Sequence, residues 1–254
     1  MHVDYIIVGC GLAGIAFCEQ LRKNQKSFVV FDNASQQSSI VAAGLYNPVT
    51  LKRFTEVWKA DEQLKLAMPY YAKLETLLNV KLDYKLSILR RLASVEEQNM
   101  WFSATDKPFL EPYLSKNIIK REIPGIRSPF GFGEVFHAGR VDTSTLISYY
   151  KDYLNKEQIL FNEKFIYKDL KILNQHVIYR NIEAKQVVYA EGFGVKNNPF
   201  FKEIPLNGTK GEIIEIYAPD LNLEAAIKSS VFIIPLGNYH YNVGATYNWQ
   251  DKTN

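Results

Sequence analysis

Val3-Asp-Tyr-Ile-Ile-Val-Gly-Cys-Gly-Leu-Ala-Gly14 is the stretch whose reading decides the fold. Residues 3–8 end in an unbroken apolar run, the pattern of a strand buried on both faces. Gly9, Gly11 and Gly14 follow with GxGxxG spacing, and residues 12–23 then carry helical periodicity with Ala13, Ala16, Phe17 and Leu21 on one side. A second buried strand, residues 27–31, is closed by Asp32, eighteen residues past Gly14. Strand, glycine turn, helix, strand and terminal acid together give the motif its meaning as a dinucleotide fingerprint. Gly9 permits the tight turn, Gly11 lets backbone approach a pyrophosphate, and Gly14 lets helix and strand touch. The helix N-terminus offers N–H groups and positive dipole to phosphate. Asp32 can accept hydrogen bonds from both hydroxyls of an adenosine ribose, and its charge disfavours a 2′-phosphate and hence NADP. A glycine-rich turn that binds nothing would leave Asp32 unexplained. Nicotinamide and flavin dinucleotides share this half, so the stretch alone does not choose between them.

The rest of the composition bounds the setting. The chain has 254 residues, 47% hydrophobic, 13% aromatic and 22% charged, an ordinary globular balance with enough apolar mass for a sizeable core. No apolar run approaches the roughly 20 residues a membrane helix needs, and no secretory signal opens the chain. Cys10 and Cys18 are the two cysteines, which excludes a disulfide framework and points to the cytoplasm. Both read as structural, Cys10 at a variable fingerprint position and Cys18 packing on the helix. His2, His137, His176 and His240 show no metal spacing, so no metal site is expected. A formal net charge of +3 gives little support for nucleic acid or an anionic membrane.

Further along, residues 54–79 have helical spacing, with Pro69 expected to interrupt or kink the helix. Residues 82–92 read as one strand. Ser94-Val-Glu-Glu97 is a capping box opening another helix, and Asp142 or Thr143 can cap a helix reaching about Leu154. Short strands are expected at 159–161, 165–167, 176–179, 186–190, 211–217, 231–235 and 239–245. The expected fold class is α/β (α+β overall), with a Rossmann-like domain at the start and an antiparallel-rich remainder.

Several segments in order resemble the D-amino-acid-oxidase-like family of FAD-dependent oxidoreductases, in the branch of glycine oxidases and tRNA wobble-uridine-modifying oxidoreductases. Val8–Gly14 with Asp32 looks like the family's first FAD motif, although Glu is commoner at the ribose position. Ser39-Ile-Val-Ala-Ala-Gly-Leu-Tyr-Asn-Pro48 is similar to its small-residue segment beside the flavin. Gly139-Arg-Val-Asp142 resembles the turn that returns the chain to the FAD domain, and Val187-Val-Tyr-Ala-Glu-Gly192 its second glycine motif. Lys210-Gly-Glu212 and the stretch from Ile233 to Thr246 match its late strands. A nicotinamide dehydrogenase would leave the strand ending at Gly192 unexplained.

The resemblance implies FAD as cofactor and oxidation of a carbon–nitrogen bond in an amine or amino acid by hydride transfer to flavin. It implies a discontinuous FAD-binding domain, residues 1–54 and 139–212, and a substrate domain of 55–138 and 213–254. Gly9, Gly11, Leu12, Ala13, Gly14, Asp32 and Asn33 would form the first cofactor-binding set. Ser39, Ala42, Ala43 and Gly44 would form the second, and Phe165, Ala190, Glu191 and Gly192 the third. No catalytic residue is assigned. Phe232, which lacks the hydroxyl of the family's aromatic position, and Tyr247 are substrate-pocket candidates, with core packing as the equal alternative. Lys52 and Arg53 could reach an anionic group or be a solvated pair, and His137 and Arg140 bracket the return turn, with support of that turn as their simplest role. The family continues well past the Gly-Ala-Thr strand, so a chain ending at Asn254 reads as a C-terminally truncated form. The alternatives are a tRNA-modifying FAD oxidoreductase and a non-catalytic dinucleotide-binding module.

Overall fold

The computed structural model describes residues 1–251. The expectation about the chain end rests partly on residues 252–254, which lie outside the described residues. The chain divides into two units: Met1–Ala42 with Thr143–Thr209 and the residues from Trp249, and Ala43–Asp142 with Lys210–Asn248. These bounds differ from the expected crossings after residues 54, 138 and 212. The difference at the first crossing has a cause in strand pairing. Leu45–Tyr46 runs antiparallel to Gly139–Val141, which also pairs with Asp83–Lys85, so both segments are tied into the second unit.

The first unit is built on a six-stranded sheet. Leu160–Phe161, Phe28–Phe31, His2–Val8 and Ile182–Tyr189 run parallel, and Val177–Tyr179 and Leu170–Ile172 complete one edge antiparallel. The apolar runs are central because they are buried on both faces: Ile6, Ile7, Val29 and Val30 are all fully enclosed. Phe31 stacks on Phe161 and meets Tyr179 edge-on beside Val8, Ile182 and Ala184. Each fully buried Val, Ile or Phe among these contributes about 1.5–3 kcal/mol of burial. The helix Leu12–Lys23 has the expected bounds and buries Ile15, Cys18 and Leu21. The helix Thr143–Lys156 starts at Thr143, whose hydroxyl donates to the Ala42 carbonyl (3.2 Å). The strand expected at 165–167 is absent; Tyr167–Asp169 forms a 3-10 turn, and Phe165 stacks on Tyr179 instead of pairing its backbone.

The second unit holds a seven-stranded sheet in the order Ile213–Tyr217, His240–Gly244, Phe232–Gly237, Ala226–Lys228, Ile88–Arg91, Phe132–Val135, Leu114–Ile119. It is antiparallel except where Ala226–Lys228 meets Ile88–Arg91. Trp101 is its largest buried side chain; it packs edge-on to Phe54, and Nε1 donates to the Ser115 carbonyl (2.9 Å). Two expectations are corrected here. Residues 82–92 form two strands, Asp83–Lys85 and Ile88–Arg91, in different sheets. The long helix spans Ala60–Leu78 and not 54–79, because Phe54 and Lys59 take left-handed φ values of 48° and 52°. Pro69 lies inside that helix without ending it. Lys65, whose carbonyl loses its partner there, and Pro69 are both exposed, so water can take that carbonyl. The N-cap half of the expected capping box forms, Ser94 Oγ accepting from Glu97 N–H (3.1 Å); Glu97 Oε2 reaches back one residue further, accepting from Ala93 N–H (2.6 Å) and not from Ser94. Among the described residues no helix is long and apolar enough to cross a membrane.

Candidate dinucleotide site

Three strands of the first unit stop together. Gly9 N–H donates to the Phe31 carbonyl (2.8 Å) and Ala190 N–H to that of Val8 (2.7 Å), so the cleft opens at the strands' carboxyl ends. Gly9 turns the chain there with φ +102°, and a β-carbon on it would lie 2.4 Å from the Ala190 carbonyl oxygen. The helix that follows starts from Gly11 with no side-chain cap and no acid in its first turn. Its N-terminal dipole and N–H groups therefore remain available to an anion.

These elements border a cavity of about 1090 Å³. Gly9, Gly11, Leu12, Ala13, Asp32, Asn33, Ser39, Phe165, Ala190, Glu191 and Gly192 all line it. Gly14 and Ala42, also in the first unit, are not among the lining residues: Ala42 is exposed, and Gly14 is buried where a β-carbon would meet the Gly9 carbonyl oxygen at 2.2 Å. Ala43 and Gly44 belong to the second unit, where Ala43 packs against the Trp101 core and the Gly44 carbonyl accepts from Val141 N–H (3.0 Å). Phe232 and Tyr247 are also in the second unit. Phe232 is half-buried against the same core, and Tyr247 is 72% exposed. Lys52 and Arg53 are exposed. Arg140 is buried, with its guanidinium over the Tyr84 ring.

Asp32 is the charged centre of one end. Its Oδ2 accepts from Cys10 N–H (2.7 Å), and its Oδ1 accepts from Ala34 N–H (2.8 Å) and Lys151 Nζ (2.6 Å). Burial, and then the Asp32 charge, push the Cys10 thiol up to about 12, so it stays protonated. Cys18 is likewise buried and held above its ordinary value, chiefly by burial.

Around Glu191 the fold gathers groups that local spacing does not reveal. Tyr167 Oη donates to Glu191 Oε1, and Asn198 Nδ2 donates to Glu191 Oε2 (2.7 Å). Asn198 is fully buried, and its Oδ1 accepts from Phe200 N–H (2.9 Å), which fixes the amide. Burial and then the Glu191 carboxylate raise the phenols of Tyr167 and Tyr189, the latter to about 12. Lys164, Lys168 and Phe193 also line the cavity. Lys151 and Tyr167 lie 119 and 24 residues from their carboxylate partners, so only the tertiary fold brings them together.

No protein-family profile matches the chain. In structure it is similar to glycine oxidase from Geobacillus kaustophilus, with TM-score 0.76 and 17% identity over 98% of this chain and 73% of that one. Glycine oxidase from Bacillus cereus ATCC 14579 gives 0.72 and 21% identity over 99% and 73%. An L-α-glycerophosphate oxidase from Mycoplasma pneumoniae, solved with FAD bound, gives 0.70 and 14% identity over 97% and 72%. The chain thus has the fold of this group of oxidases, a Rossmann-type unit joined to an antiparallel-rich one, as the motif order implies.

Proposed function

We propose that the chain binds FAD and acts as an FAD-dependent oxidoreductase on a carbon–nitrogen bond of a small-molecule amine or amino acid. One observation carries this reading: an uncapped helix N-terminus, the glycine turn and Asp32 all face one cavity large enough for a dinucleotide. Asp32 would take the adenosine ribose, and the backbone at Gly11, Leu12 and Ala13 the pyrophosphate. Phe165 and the wall around it would cover the base. Because Cys10 is protonated beside Asp32, it adds no second negative charge where the dinucleotide anion must lie. Bound flavin would supply the hydride acceptor, leaving orientation and exclusion of water to the protein. The choice of substrate class is supported by neighbours described as glycine oxidase and iminodiacetate oxidase. Phe232 and Tyr247 remain the proposed substrate-side residues.

The test is anaerobic titration of the FAD-loaded protein with glycine, sarcosine and D-amino acids. Bleaching of the flavin by one of them supports the oxidoreductase reading. Stable FAD binding with no bleaching by any amine points instead to a passive dinucleotide-binding module.

A further inference from the structure

Asp32 is more fully engaged than a ribose-binding carboxylate with both oxygens free. An ionised carboxylate offers about four acceptor positions, two on each oxygen. On Oδ1 both are taken, by Ala34 N–H (2.8 Å) and Lys151 Nζ (2.6 Å). On Oδ2 one is taken by Cys10 N–H (2.7 Å). One position is left. The pair is shielded, with the Asp32 side chain 14% and the Lys151 side chain 19% exposed, so water competes weakly for it.

Lys151 is also held on a firm support. It projects from the helix Thr143–Lys156, which buries Leu146, Ile147, Tyr150 and Leu154. One turn of that helix is tied to the fingerprint helix by Tyr150 Oη donating to Glu19 Oε1 (2.6 Å). Lys151 is not among the described residues lining the cavity.

We propose that Lys151 is a positioning residue for the nucleotide: it occupies Oδ1 of Asp32 and leaves Oδ2 to receive a single ribose hydroxyl. This rests on the dinucleotide reading above and narrows the expectation that Asp32 takes both hydroxyls. The 2′- and 3′-hydroxyls are then unequal in their contribution to binding. Without the ammonium, Oδ1 regains an acceptor position and the inequality disappears.

The experiment is calorimetric titration of the full chain, freed of bound nucleotide, with ADP, 2′-deoxy-ADP and 3′-deoxy-ADP. In the wild type one deoxy analogue binds about tenfold more weakly than ADP, the loss of one hydrogen bond to a charged acceptor, and the other within about threefold. In Lys151→Met the two analogues come within about threefold of each other, because Oδ1 regains its acceptor position. A merely structural lysine would alter all three affinities together and leave their ratios unchanged. Equal losses for both analogues in the wild type, or an undiminished difference in folded Lys151→Met, overturn the proposal while ADP binding itself stands. Failure of the wild type to bind ADP overturns the site reading and the proposal with it. The wild-type comparison decides the matter even where the methionine variant fails to fold.

Discussion

The β-carbon that Gly14 lacks would stand 2.2 Å from the carbonyl oxygen of Gly9, closer than any side chain can sit against fixed backbone. The helix therefore packs this close to the glycine turn only because position 14 is glycine. Gly14→Ala should lower stability by about 1–3 kcal/mol, as overpacking of a tight contact does. Thermal unfolding of the variant checks this, and an unchanged midpoint would count against the packing role.

Gly11 behaves differently. A β-carbon there meets only Ser39, with Oγ at 3.2 Å, and that side chain can give way. Gly11→Val should fold but fill the space reserved for pyrophosphate, weakening FAD binding by about 100-fold or more. Equilibrium dialysis with FAD, paired with circular dichroism, separates the two effects. Unchanged affinity would remove Gly11 from the phosphate site.

Cys10 is a buried thiol pushed up to about 12 by desolvation and by Asp32. At pH 8 roughly one molecule in 10⁴ carries the thiolate, the reactive form. A thiol reagent should label neither Cys10 nor Cys18 in the native protein within the time that labels both in guanidinium. Rapid native labelling of Cys10 would show an open site.

Glu75 links the long helix to the strand that follows it. Burial opposes its ionisation, but Asp83 N–H, Leu82 N–H and the Lys81 ammonium outweigh that and hold its carboxyl below the ordinary value. A carboxyl depressed in the folded state stabilises fully above its unfolded value and loses that contribution as pH falls through the folded one. Glu75→Gln should cost about 1 kcal/mol at pH 7, and the gap from wild type should close on acidification below the ordinary carboxylate range. Urea unfolding at neutral and acid pH measures it; a gap that widens in acid would reverse the assignment.

The legible part of this sequence is the part whose partners are close in the chain. The strand, glycine turn, helix Leu12–Lys23 and Asp32 follow one another within about thirty residues, and each constrains the next. The break between Asp83–Lys85 and Ile88–Arg91 was hidden because apolar periodicity continues through Leu86 while the strands part into different sheets. The helix start at Ala60 was hidden because left-handed Phe54 and Lys59 are residue types that carry no turn signal. At the site, the glycines and Asp32 were readable, but Lys151 on Asp32 and Tyr167 and Asn198 on Glu191 were not. Their roles come from side chains meeting across the fold, with no fixed spacing to mark them.

The cavity beside Gly9–Gly14 is proposed above as a flavin dinucleotide site. Its most direct test is the visible absorption spectrum of the purified chain after incubation with FAD and removal of free ligand. The expected result is a yellow protein retaining about one flavin per chain, with the flavin lost in Gly11→Val. A folded wild-type protein that remains colourless would contradict it.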